Sequence, residues 1–166
     1  SVMHLPVAAR LYVGAVIVLG AAIVAGQFPS LAFPHPSLFV GLFALSVISS
    51  ALKVDLPIGV GSSCISLSYA VDFTTLLLLG PAPAMLLATA SAWSQCTFRM
   101  KQRNPAYKTI FSIACLAITV AATARVYTFL GGTYGQLASL QALIGAAMAY
   151  FFVNSAAVAA AFALAN

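Results

Sequence analysis

Few side chains in this sequence can do chemistry. The acidic residues are Asp55 and Asp72, with no glutamate, and they stand against seven Lys and Arg, two histidines and three cysteines. A zinc site needs His, Cys or carboxylate ligands brought together. Cys64, Cys96 and Cys115 have no metal-like spacing and lie among apolar or small residues. There a thiol acts as a small apolar side chain. A Ser-His-Asp relay lacks plausible members, because His4 and His35 both lie near proline-containing ends. Gly59-x-Gly61 lacks the continuation of a phosphate-binding loop. Pigment ligation by His4 or His35 is a weak remainder, since a histidine between Pro34 and Pro36 reads as a solvated loop residue. The residues point away from an enzyme and name no cofactor.

What remains are two charges within apolar segments, Asp72 and Arg125. A carboxylate at membrane depth is costly and needs a partner or a role. At about 1.5 Å per residue, a third span entered near Pro57 puts Asp72 about 15–20 Å from its edge, and Arg125 about 25 Å up the fifth. A long Arg side chain can cover that difference, so an Asp72–Arg125 pair is one reading. In the other, Arg125 snorkels to the headgroups and Asp72 is hydrogen-bonded by Ser68, Thr74, Thr75 or Ser91. A ligand-binding or proton-linked Asp72 is the third. Gln95 and Asn154 complete the polar-core candidates. An intramembrane amide such as Asn154 bonds a neighbouring helix for about 0.6–2 kcal/mol.

The elements that must hold these residues follow from composition. Of 166 residues, 63% are hydrophobic and 5% charged, with a mean hydropathy of +1.07. A soluble domain carries roughly 25% charged residues. The expectation is an all-α integral membrane protein, a single transmembrane domain over residues 1–166 with about six spans of about 20 residues each. The spans are read as Arg10–Gly26, Ser37–Leu52, Leu67–Leu79, Ala84–Phe98, Thr109–Leu130 and Leu137–Leu164. Three prolines break the chain in Gln27–Pro36. Ser46, Ser49 and Ser50 at helical spacing read as a packing surface. Lys53 and Asp55 mark a turn, and Gly59 and Gly61 predict an irregular or re-entrant segment before the third span. Gly80-Pro81-Ala82-Pro83 makes the third and fourth spans an antiparallel hairpin.

Four of the seven basic residues fall between Arg99 and Lys108. With the N-terminus cytoplasmic, these four, Arg10 and Lys53 all face the cytoplasm, as the positive-inside rule asks. Six spans return the C-terminus to the same side. The basic cluster is then a topology signal, and nucleic acid is not an expected partner. The expected partners are the bilayer and other helices. Gly145-x-x-x-Ala149 with Ala156, Ala157, Ala160 and Ala161 forms a small-residue surface suited to packing within the bundle, to a protein partner or to a second copy. The chain opens without Met and stops within an alanine-rich segment, which suggests a piece of a longer protein.

Four stretches in order, LPVAARLYVG, ALKVDLPIGVGSSCISLSYAVDF, ATASAWSQCTFRMKQRNPAYKTIFSIA and YFFVNSAAVAA, resemble the multi-span N-terminal membrane module of bacterial signalling proteins. Such modules precede HD-GYP phosphodiesterase, GGDEF cyclase or histidine-kinase output domains. The shared features are a Leu-Lys-x-x-Leu-Pro junction, a Ser-rich entry to the third span, a basic turn after the fourth and the Val153-Asn154 step. Phe111-Ser112 stands where the family tends to have Phe-Asn. The resemblance implies a non-enzymatic sensory or regulatory module in the bacterial cytoplasmic membrane. The six-span layout is also similar to the substrate-binding S-components of energy-coupling-factor vitamin transporters, a likeness of fold alone. A small-molecule-binding transport component, or a structural subunit of a respiratory or photosynthetic complex, are the alternative functions.

Overall fold

The computed structural model describes residues 6–30, 35–51, 53–56, 63–66, 68–97, 106–136 and 139–165, and describes no side chain at 50–51, 53–56, 63–66, 68, 95–97 or 165. These residues form six helices, α1 (Val7–Gln27), α2 (Pro36–Ala51), α3 (Ser68–Leu79), α4 (Pro81–Thr97), α5 (Ala106–Phe129) and α6 (Leu140–Ala165). Between α2 and α3 run two antiparallel strands, β1 (Lys53–Leu56) and β2 (Ser63–Ser66), paired from Lys53 with Ser66 to Leu56 with Ser63.

The helix boundaries follow local chemistry. Proline opens α2 and α4 as their first residue, where its missing N–H costs nothing. Gly80 closes α3 at φ +89°, and its N–H reaches the Leu76 carbonyl at 3.0 Å. That region favours glycine, so a single residue reverses the chain between α3 and α4. Ser139 caps α6, its hydroxyl accepting from the Ala142 N–H at 3.3 Å. The loop after α5 is tied back to α3 by the Gly135 N–H on the Leu77 carbonyl, at 2.9 Å.

Two groups of helices emerge. Within the described residues, α1, α5 and α6 lie in stretches long and apolar enough to cross a membrane, while α2 and α3 are shorter apolar helices. At about 1.5 Å per residue, the 12 residues of α3 extend only about 18 Å, against a hydrocarbon core of about 30 Å. The expected six helices are present, but helix length alone does not carry all six across. Nor is Lys53–Asp55 a turn. It belongs to β1, whose pairing with β2 satisfies backbone groups that a bare loop would leave open.

Helix α5 sits at the centre, packed by α1, α4 and α6. Leu76, Ala84, Met85, Ala88, Leu116, Ala117 and Val120 form the main apolar core. The α1–α5 contact is close: a Cβ on Gly20 would lie 2.6 Å from the Ala114 Cα. Helix α6 buries Ala142, Ala146 and Tyr150, one residue per turn, and exposes Ile144, Met148, Phe151, Phe152 and Phe162. A broad exposed apolar face of this kind suits lipid or another helix. Of the small-residue surface, Ala157 packs against the Val16–Ala114–Cys115 cluster, and its carbonyl accepts from the Tyr12 hydroxyl at 3.0 Å.

Candidate functional site

The polar core lies where α2, α3 and α4 meet, near the hairpin end of the bundle. Each helix contributes two buried side chains three residues apart: Ser46 and Ser49, Asp72 and Thr75, Ser91 and Ser94. Residues at that spacing share a helix face, so three short helices turn their hydroxyls and one carboxyl toward a common seam. Asp72 is fully buried, one turn into α3. The Ser46 hydroxyl donates to its Oδ1 and the Ser91 hydroxyl to its Oδ2, each at 3.0 Å. Both oxygens are thus bonded, one from each flanking helix.

The other hydroxyls look after themselves. Thr75 donates to the Val71 carbonyl at 2.8 Å and Thr74 to Ala70 at 2.7 Å, so neither bonds Asp72. Ser91 also lies 3.0 Å from the Ala88 carbonyl, a back-bond on its own helix that competes for its single proton. Among the described residues, Ser46 has only Asp72 as its side-chain partner.

Across the seam, Tyr150 of α6 packs edge-on against Tyr69 and Phe73, at centroid distances of 6.2 and 5.9 Å. Among the described residues its buried hydroxyl has no hydrogen-bond partner, and it lies within electrostatic reach of Asp72. Tyr69 also borders a cavity of about 100 Å³ between α3, α4, α5 and α6, shared with Ser112, Cys115 and Asn154.

The structure therefore brings together Asp72 and Ser91, with Thr75 buried one turn on. Arg125 is elsewhere. It is exposed one turn before the far end of α5, with Gln27 and Thr128, and makes no ion pair with Asp72. The pairing fails on direction, because Asp72 faces α2 and α4 while Arg125 faces α1. Asn154 is half-buried on the separate cavity. The side chains of Ser68 and Gln95, and those of Cys64 and Cys96, lie outside the described residues. His35 is exposed ahead of α2, at the end of that helix away from Asp72. Ser46 is the partner that sequence reasoning assigns to packing alone. Its register with Ser49 shows a polar face, but which helix that face meets is a tertiary fact.

Comparison with protein-family models, with curated proteins and with solved structures found no match to this chain.

Proposed function

We propose that this chain is a non-enzymatic sensory or regulatory module of the bacterial cytoplasmic membrane, with six membrane-embedded helices and both termini cytoplasmic. The Asp72 junction is the element that responds. The observation that carries this reading is a fully buried carboxyl group held by one serine from each of two flanking helices. Each such bond contributes only about 1 kcal/mol net, so the seam is specific in geometry yet weak enough to rearrange. The hairpin joining α2 to α3 lies directly beyond it and would carry a shift of α2 against α3 toward the cytoplasmic face. Switching elements work in this way: a local change in charge or packing biases two arrangements of neighbouring helices. The resemblance to signalling membrane modules points in the same direction.

A vitamin-sized ligand inside the bundle is less well supported. The cavity lined by Asn154, at about 100 Å³, is well below the roughly 300–1,000 Å³ of small-molecule sites.

The test uses spin labels on α2 and α4, at Ile48→Cys and Ala90→Cys, with Cys64, Cys96 and Cys115 replaced and the protein in lipid nanodiscs. The reading expects two inter-label distances whose ratio changes on Asp72→Asn. One unchanged distance in both proteins would refute it.

A further inference from the structure

Arg125 makes no ion pair with Asp72, whose carboxyl is bonded to serines on other helices. Arg125 instead stands in a groove of about 680 Å³ along the outside of α1 and α5. That volume is within the range of sites that hold a discrete molecule.

The groove is graded in polarity. At the helix ends it carries Arg125, Gln27 and Thr128; deeper, its walls are Leu19, Ile118 and Ala122. The seven residues from Arg125 back to Ile118 correspond to about 10 Å along the helix. Both walls belong to stretches long and apolar enough to cross a membrane, so the groove would open toward acyl chains. An exposed guanidinium above an apolar trough matches an amphiphile with an anionic head. The planar guanidinium bonds a phosphate through two parallel N–H donors. Free phosphate would leave the trough uncovered.

We propose that this groove binds one anionic phospholipid, its phosphate on the Arg125 guanidinium and an acyl chain laid along α1 and α5. The experiment titrates the whole 166-residue chain in detergent with phosphatidylglycerol, phosphatidylcholine or inorganic phosphate, and counts retained molecules by native mass spectrometry. One phosphatidylglycerol per chain is expected, with retention at least ten-fold weaker for phosphatidylcholine and for inorganic phosphate. Arg125→Gln should weaken phosphatidylglycerol retention at least ten-fold. Arg125→Lys, which keeps the charge and loses the fork, should weaken it less. Ala122→Phe, which fills the trough and leaves the cation, should also weaken it. Equal retention of the two lipids, retention of inorganic phosphate as strong as that of phosphatidylglycerol, or unchanged retention by Arg125→Gln would overturn the proposal.

Discussion

The α1–α5 seam and the α2–α3–α4 seam solve the same packing problem with different materials. In the first, long apolar helices approach until Gly20 lies against the Ala114 backbone, and contact area does the holding. In the second, short helices bring Ser46, Asp72 and Ser91 to one point, and hydrogen bonds specify the register. For helices embedded in lipid, as proposed above, association cannot draw on a hydrophobic driving force, so close packing and interhelical bonds are the remaining sources. A backbone contact has one good arrangement. A hydroxyl–carboxyl contact can exchange partners, as the Ser91 proton can between Asp72 and Ala88. The long helices therefore read as the frame and the short ones as the part able to move.

The contrast can be broken first at the frame. Gly20→Val puts a branched side chain where even a Cβ would lie 2.6 Å from Ala114. It should cost about 3 kcal/mol, the upper end of overpacking effects, measured by dodecyl sulfate titration in mixed micelles. At Gly14 an added Cβ would meet nothing within 4 Å, so alanine there should be tolerated within about 0.5 kcal/mol. The polar seam comes next. Asp72→Ala strands the Ser46 hydroxyl while Ser91 falls back on Ala88, and should cost about 1–3 kcal/mol. Asp72→Asn keeps an acceptor and should cost less. A smaller effect is expected where the frame has a polar contact: Tyr12→Phe removes the bond to the Ala157 carbonyl and should cost about 0.6 kcal/mol.

The smallest effect concerns the loop that closes α5 against α3. Burial pushes the Tyr134 phenol above its ordinary range, and neighbouring Tyr127 adds to the shift. The folded state then favours the neutral phenol. Its contribution is full below the unfolded value of about 10 and declines as pH rises past it. Tyr134→Phe should lack that share of the alkaline loss, seen as a narrowing gap between the two proteins' melting curves above pH about 10. It also loses the 3.3 Å bond to the Ala124 carbonyl, so it should start about 0.5 kcal/mol less stable.

How much of this is legible in the sequence depends on the range of the interaction. Pro36 and Gly80-Pro81 mark boundaries through their own backbone chemistry, and the helices start and stop there. Asp72 stands out because its own segment offers no charged partner, and Ser91 is among the few hydroxyls the sequence suggests for it. Ser46 reads only as packing, since a bond across 26 residues depends on which helices become neighbours. The Asp72–Arg125 pair fails for the same reason: depth along a span can be counted, but the face each helix presents cannot. The stretch after Lys53 is expected to leave helical geometry. That it pairs as β1 with β2 depends on register, which its glycines and serines do not specify.

Asp72 is held through Ser46 and Ser91 and not through Arg125. A double-mutant cycle of Asp72→Ala with Ser46→Ala, read as unfolding free energy in mixed micelles, tests it most directly, with Asp72→Ala and Arg125→Gln as the matched control. A coupling of about 1 kcal/mol is expected in the first cycle and additivity in the second. Additive effects of Asp72 and Ser46, with coupling between Asp72 and Arg125, would contradict it.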